Sequence, residues 1–361
     1  MSKIRIQKYS NINTSLSLLS DNEIYKLMIG NQVGDGWGKN HIIKVNGAKL
    51  FVKSIPVTEL ELKNNYSTKN VFNIPTFYNY GVGSAGLGVF RELNLHIKTT
   101  NWILNGETTG FPLMYHYRIV KKKSGIKKFS KKELATHKSY ISNWNNSKKI
   151  SNYILERESS EYELLIFLEF IPHVFTKWLK PNIKELNKVS IKVFRIFDFL
   201  KSKGVIHFDA HFGNILTNGK EVYLTDFGLC LDRGFDLSEK EKNFYKKHIN
   251  YDYMEYIGCC SVILESSWHD LSKGSKAQLE EKFGLSEKTP YYEKVDLMLS
   301  NLDEINKIMK LNPSYIQFLK KNMALIKLSN NFFYGLRKDK KKKLEFPSLL
   351  VNRELKKSKF I

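Results

Sequence analysis

The chain has 361 residues, and 58 Lys and Arg against 36 Asp and Glu give it a formal net charge of +22 at pH 7. Hydrophobic residues form 42% of it and aromatic residues 13%, with only 8 Pro and 21 Gly, which excludes wholesale disorder and a fibrous or low-complexity chain. Because cores rarely grow beyond about 250–300 residues, this length predicts two structural units or one large domain with insertions.

The first predicted elements are a short helix and a β-hairpin. Ser20 and Glu23 have capping-box spacing for a helix through residue 28, which ends an N-terminal extension of residues 1–29. A glycine-rich loop with Gly34, Gly36 and Gly38 follows. Two β-rich runs, 41–45 and 49–57, then flank Asn46-Gly47, the strongest short-range hairpin signal because both turn positions need positive φ.

A helix, a strand and a lysine-rich segment come next. Apolar residues at three- and four-residue spacing predict a helix over 91–104, and residues 111–120 read as a strand. Residues 121–150 carry ten Lys and one Glu, a net charge of +9. They contain too few large apolar residues for a core of their own, so we expect an exposed insertion at about 121–160.

The second half contains the chemically informative stretch. An apolar strand at 164–170 and an amphipathic helix at 183–203 precede residues 204–228, GVIHFDAHFGNILTNGKEVYLTDFG. Here His207-Phe208-Asp209 is followed by Asn214, then by strands 215–217 and 222–225 joined at Asn218-Gly219, then by Asp226-Phe227-Gly228. Helical patterns dominate from about residue 240.

Three polar residues of this stretch fit the requirements of phosphoryl transfer. That reaction needs an oxygen acceptor to orient and deprotonate the attacking hydroxyl, and hard oxygen ligands that hold Mg²⁺ on the nucleotide phosphates. The stretch resembles the protein-kinase-like superfamily, whose catalytic loop reads H-x-D-x-x-x-x-N and whose metal-binding loop reads D-F-G. The resemblance implies that Asp209 is the catalytic base, that Asn214 and Asp226 bind metal, and that His207 is structural.

The resemblance also implies an ion pair in the first lobe. Lys53 lies on the strand after the hairpin, where the family keeps the lysine that contacts the α- and β-phosphates. Its glutamate partner in the family comes from the helix before the fourth strand, which points to Glu92. Glu59 and Glu61 lie closer to Lys53 in sequence and are alternatives.

The nucleotide site is completed by two further assignments. Gly34, Gly36 and Gly38 would cover the phosphates, although their G-x-G-x-G spacing differs from the G-x-G-x-x-G of protein kinases. The strand at 164–170 matches the one that enters the adenine-binding hinge, so main-chain groups of Glu169 and Ile171 would face the base.

Two departures from protein kinases bear on the acceptor. Protein kinases have a basic residue directly before the catalytic aspartate and another two positions after it, whereas this chain has Phe208 and His211 there. A histidine at the second position resembles the catalytic loop of aminoglycoside phosphotransferases and choline kinases. His211 would lie near the transferred phosphate, unless it makes only a structural hydrogen bond. No A-P-E motif occurs in residues 229–265, so a conventional peptide-docking platform is not expected.

The sequence therefore predicts an α+β, bilobal protein-kinase-like fold. Its β-rich lobe with one main helix spans 30–170, and its helical lobe spans 171–334. The predicted activity is ATP- and Mg²⁺-dependent transfer of the γ-phosphate to a hydroxyl group, on either a small molecule or an atypical protein substrate. The alternatives are an atypical protein Ser/Thr kinase and a nucleotide-binding pseudokinase that acts as an interaction scaffold.

Charge and cysteine content complete the predictions. Residues 335–361 form a basic tail of net charge +7. The tail and the 121–150 segment either are merely solvated or attract an acidic partner or anionic membrane surface, whereas no nucleic-acid-binding motif accompanies them. Three cysteines without CxxC spacing, no signal peptide and no long apolar run predict a cytoplasmic protein.

Overall fold

A computed structural model describes residues 3–33, 39–123 and 125–358. The predicted α+β class is confirmed, because a β-sheet region and a helical region lie side by side, as in a kinase-like bilobal fold. Gly34, Gly36 and Gly38 lie outside the described residues. Among the described helices, none is long and apolar enough to cross a membrane.

The sheet has five antiparallel strands in the order β1-β2-β3-β5-β4. The strands are β1 (Gln32–Val33), β2 (Lys39–Val45), β3 (Ala48–Val57), β4 (Met114–Lys121) and β5 (Tyr162–Glu169). Asn46 and Gly47 have φ of 48° and 74°, as the predicted hairpin requires. β4 begins three residues later than predicted, since Pro112 has no N–H to give to a ladder.

One helix lies directly against this sheet. α4 (Val89–Leu104) extends the predicted helix by two residues at its start. Val89, Phe90 and Leu93 on it form a small core with strand residues such as Ile55 and Ile166. The short α3 (Glu59–Lys63) precedes it, and Glu61 Oε1 accepts a hydrogen bond from the N–H of Val89.

The N-terminal segment packs against the same sheet. It contains α1 (Lys3–Leu18), which the sequence analysis did not predict, and α2 (Asp21–Met28), where the capping box of Ser20 and Glu23 is present. α1 lies along β4 and β2, and Ile12 and Leu16 on it are buried.

The lysine-rich insertion is not simply exposed, so that expectation is wrong in part. It forms α5 (Lys131–Ser142) and α6 (Lys148–Ser159), and its buried residues include Trp144, Ile150 and Tyr153. The ring of Trp144 lies 4.6 Å from that of Tyr78, centroid to centroid. The insertion therefore shares a core with the segment before α4, although its own apolar residues are too few to make one.

The second region is mainly helical. Its helices are α7 (Phe175–Leu179), α8 (Leu186–Ser202), α9 (Glu239–Lys247), α10 (Tyr251–Cys259), α11 (Ser261–His269), α12 (Lys273–Phe283), α13 (Tyr291–Ser300), α14 (Leu302–Met309), α15 (Pro313–Lys338) and α16 (Ser348–Lys357). Its short strands are β6 (His173–Val174), β7 (Val205–Ile206), β8 (Ile215–Thr217), β9 (Val222–Leu224) and β10 (Leu231–Asp232).

The connection between β8 and β9 spans residues 218–221, as the predicted strand bounds imply, and within it the Asn218 Oδ1 atom accepts from the N–H groups of Lys220 and Glu221. One feature differs from the predictions for this region. The segment from residue 335 is not a free tail. α15 continues to Lys338, and Phe346, Val351 and Leu355 are buried against the helical region.

Ion pairs connect α4 to the helical region. Arg91 and Glu241, both almost fully buried, approach to 2.8 Å, and Lys98 lies 2.7 Å from Asp232. The N–H of Leu87 also donates to the Gly228 carbonyl. Since α4 also packs on the sheet, these contacts hold the two regions in one relative position.

Candidate active site

An ion-pair triad joins three distant parts of the chain. Lys53 Nζ on β3 lies 2.5 Å from Glu92 Oε1 on α4 and 2.8 Å from Asp226 Oδ1 after β9. Burial opposes the charge of Lys53, but the two carboxylates outweigh it and raise its pKa. Of the three glutamates considered for this contact, Glu92 makes it. Glu61 instead caps α3 and binds the start of α4, and Glu59 lies 3.8 Å from Lys63.

The carboxylates of the triad are both ionised in the neutral pH range. Burial acts to raise the pKa of Asp226, but Lys53 outweighs it and brings the value to about 2. The pKa of Glu92 is also lowered, with Lys53 overcoming the effect of burial. His96, one turn after Glu92, is buried, and its pKa is lowered by that burial.

The loop before β8 presents Asp209 and Asn214. Asn214 Nδ2 donates to Asp209 Oδ2 at 2.8 Å and to the Asp209 carbonyl at 2.9 Å, which orients the carboxylate. Burial raises the pKa of Asp209 to about 6, against the opposing effect of His211. His211 Nε2 lies 3.6 Å from Asp209 Oδ1, while its Nδ1 accepts from the Gly213 N–H.

His207 makes the contacts of a structural residue. Its Nδ1 accepts from the Asp209 N–H at 3.3 Å, so its Nε2 carries the proton and donates to the Thr225 carbonyl at 3.1 Å. Burial lowers its pKa to about 4, and the ring packs edge-on against Phe227. His207 therefore links the loop of Asp209 to the loop of Asp226.

Two carboxylates on α10, which were not predicted from the sequence, bind the backbone of the loop that carries Asp209. Asp252 on α10 accepts the N–H groups of His207 and Phe208 at 2.8 and 2.9 Å, and Glu255 accepts that of Ala210 at 2.7 Å. These bonds hold Phe208 in a left-handed conformation, φ 62°, which is rare for a bulky residue. The sequence signal that could have identified these two carboxylates is the presence of two acidic residues in the aromatic run YDYMEYIGCC, because carboxylates that become buried there need hydrogen-bond partners.

The donor set fits a magnesium ion. Asp226 Oδ2 and Asn214 Oδ1 accept no hydrogen bond from the described residues, and oxygen atoms are the ligands that Mg²⁺ prefers. Mg²⁺ is usually bound through one or two carboxylates plus substrate phosphates.

The hinge residues are only partly available to a base. The N–H of Glu169 donates to the Leu113 carbonyl, and its carboxylate forms a two-pronged contact with Arg5 on α1. Ile171 follows the end of β5, is half-buried, and its main-chain groups make no hydrogen bond with described residues. Ile171 thus has free main-chain groups, whereas the Glu169 N–H is already paired.

A cavity of about 610 Å³ opens beside His211, whose Nε2 lies 3.6 Å from Asp209 Oδ1. α10, α13 and α15 form its walls, and its lining includes His211, Glu255, Tyr291, Asn330, Phe333 and Arg337. Gly81, from the segment before α4, closes it next to Asp209, and a Cβ at Gly81 would lie 2.2 Å from Asp209 Oδ1. No local sequence pattern indicated this cavity, because its walls come from five segments that are far apart in the sequence.

The likeness of this chain to known proteins is found among solved structures. No protein-family model matches the chain, and no curated protein does. Among solved structures 273 chains are similar. One, described as "WaaP in complex with acyl carrier protein", is 12% identical over 88% of this chain and 92% of its own, with a TM-score of 0.37.

Proposed function

We propose that this protein is an ATP- and Mg²⁺-dependent phosphotransferase that acts on a hydroxyl group. The observation that carries the proposal is the contact of Lys53 with both Glu92 and Asp226, next to the Asp209–Asn214 pair. Phosphoryl transfer needs a cation that contacts the phosphates, a carboxylate that binds metal and a carboxylate that orients the attacking hydroxyl, and this arrangement offers a group for each role.

Separate residues bind the phosphates, the metal and the adenine of ATP. Lys53 neutralises the α- and β-phosphates of ATP, and Glu92 fixes its position. Asp226 and Asn214 hold Mg²⁺, which neutralises charge on the phosphates when bound. The main-chain groups of Ile171, with the carbonyl of Glu169, face the adenine.

Asp209 orients the acceptor hydroxyl and takes its proton. A pKa of about 6 suits this role, because a base is most effective when its pKa lies close to the working pH. His211, 3.6 Å from that carboxylate, lies where the transferred phosphate would pass. Catalysis then rests mainly on positioning and charge neutralisation.

The cavity beside Asp209 favours a small-molecule acceptor over a protein side chain. Its volume of about 610 Å³ lies within the range of about 300–1,000 Å³ typical of small-molecule sites. Tyr291 and Phe333 provide flat apolar surface, while Asn330 and Glu255 provide hydrogen-bonding groups. This combination suits a hydroxylated molecule with one apolar face.

The test uses γ-labelled ATP and a cell extract, with small molecules separated from protein after the reaction. The Asp209→Asn variant should lose labelling of the acceptor and keep nucleotide binding, whereas Asp226→Asn should lose Mg²⁺-dependent nucleotide binding. Asp303→Asn, at an exposed ion pair with Lys320, serves as the control and should label normally. Transfer by Asp209→Asn at the wild-type rate would refute the assignment, and label in protein alone would exclude a small-molecule acceptor.

A further inference from the structure

The two lysine-rich segments, separated by about half of the chain, meet in the structure. Lys342 is 9% exposed, its Nζ donates to the Leu336 carbonyl, and it lies 5.3 Å from the ring centroid of Trp144 in the insertion. One buried lysine of the C-terminal segment therefore packs on the buried tryptophan of the other lysine-rich segment.

Six exposed lysines lie within six residues of Trp144 or Lys342 in the chain and form what we call the lysine patch: Lys138, Lys148, Lys149, Lys340, Lys341 and Lys343. None of them forms an ion pair with a carboxylate of the described residues. The carboxylate of Asp339 accepts the N–H groups of Lys341, Lys343 and Leu344 and so holds the turn in shape. The patch therefore gathers charge from both segments.

Exposed apolar side chains follow the C-terminal patch lysines in the chain. Leu344, Leu349 and Leu350 are 39%, 84% and 43% exposed, within seven residues of one another. α16 buries Val351 and Leu355 against the protein, while Leu349, Arg353 and Lys356, at helical spacing, share its outer face. The outer face of α16 thus combines an apolar side chain with two basic ones.

We propose that the lysine patch and the outer face of α16 bind the surface of an anionic lipid bilayer. A surface with lysines and exposed leucines gains binding free energy from two sources there: the lysines are attracted to anionic headgroups, and the leucines insert at the acyl boundary. A soluble polyanion would use the charge alone. Protein interfaces are depleted in lysine and enriched in arginine and aromatic residues, which does not describe this surface.

The placement of the patch also relates it to the cavity. Arg337, in the last turn of α15, lines the cavity, and Lys340 follows it by three residues, just beyond the end of that helix. A bilayer bound at the patch would therefore lie beside the rim of the cavity.

The test is sedimentation of the full chain with vesicles of phosphatidylcholine, with and without phosphatidylserine. The wild-type protein should bind only the anionic vesicles, and added salt should weaken the binding. Each lysine contributes about fivefold to the affinity, so Lys340→Gln/Lys341→Gln/Lys343→Gln should weaken it about a hundredfold. The matched control Lys273→Gln/Lys282→Gln/Lys288→Gln removes the same charge from exposed lysines outside the patch and should weaken it far less.

A second variant separates a bilayer from a soluble polyanion. Leu349→Ser/Leu350→Ser leaves every charge in place and changes only exposed side chains, so it should fold normally, bind vesicles several-fold less tightly and bind heparin as the wild type does. Vesicle binding that is absent, equally sensitive to the control lysines, or indifferent to the two serines would overturn the proposal. Because none of these measurements involves ATP, their failure would leave the proposed activity unaffected.

Discussion

Replacing Gly81 by alanine would place a methyl group against the carboxylate of Asp209. The new Cβ would lie 2.2 Å from Asp209 Oδ1 and 3.3 Å from its Cγ. The backbone of Gly81 is not left-handed, so alanine itself causes no strain there. The carboxylate has to move instead, and the hydrogen bond from Asn214 to Oδ2 opposes this movement.

The distances give the expected size of the effect on stability and of the effect on the transfer rate. A carbon and an oxygen need a separation of more than 3 Å, so the carboxylate shifts by about 1 Å. Rotating one side chain from its preferred geometry costs about 1 kcal/mol, so the fold should survive. A displacement of about 1 Å in a reacting group can lower the rate about a hundredfold. We therefore expect Gly81→Ala to fold almost normally and to transfer phosphate about a hundred times more slowly.

The assay compares γ-phosphate transfer with urea unfolding on the same preparations. Gly274→Ala is the control, since an added Cβ on exposed α12 meets only Ser272 Oγ, at 3.9 Å. It should gain about 0.5–1 kcal/mol of stability and keep full activity. Wild-type transfer by Gly81→Ala would refute the reasoning, because Asp209 then either is not the base or is not confined by Gly81.

The pH profile of kcat/KM should rise through about pH 6 and fall about tenfold per unit below it, because Asp209 has to be deprotonated to act as a base. Asp209 would be excluded as the base by a profile that is flat between about pH 5 and 8. Arg91→Met should cost about 3–5 kcal/mol in urea unfolding, since it leaves the Glu241 carboxylate buried without its partner. Arg91→Met/Glu241→Gln should recover part of that loss, and equal losses in the two variants would contradict the ion pair. Trp144→Ala should lower the free energy of unfolding by about 3–5 kcal/mol, because the ring is 2% exposed. Lys132→Gln, at an exposed position on α5, should have almost no effect, and a similar lack of effect for Trp144→Ala would mean that the insertion is not part of the core.

Local signals located nine of the strands and helices. The spacing of apolar residues predicted α4 and α8 within three residues at each end, and Asn46-Gly47 placed the hairpin correctly. These features depend on backbone preferences and on a single buried face, which neighbouring residues determine. The start of β4 was predicted three residues early, because a missing donor at Pro112 outweighed the apolar pattern.

Predictions from composition were less accurate where a segment is buried against a different part of the chain. The count of apolar residues in the insertion was correct, but Trp144 and Tyr153 find their partners outside it, in Tyr78 and Phe72. Similarly, Lys342 reads as solvated in a run of four lysines, yet it is buried. A segment whose apolar residues are too few for its own core can still complete a neighbouring one.

The sequence by itself determined the residue types and order of the candidate site. The H-x-D-x-x-x-x-N run and the D-F-G that follows it lie within 22 residues of one another, so their relation is a local property of one loop and one hairpin. Only the tertiary structure decided that Lys53 meets Glu92 rather than Glu59 or Glu61, that Asp252 and Glu255 hold the Asp209 loop, and that Gly81 closes the cavity over it. These contacts join residues 39 to 173 positions apart or come from separate helices, and nothing in local spacing encodes which buried charges will face each other once the helices have packed.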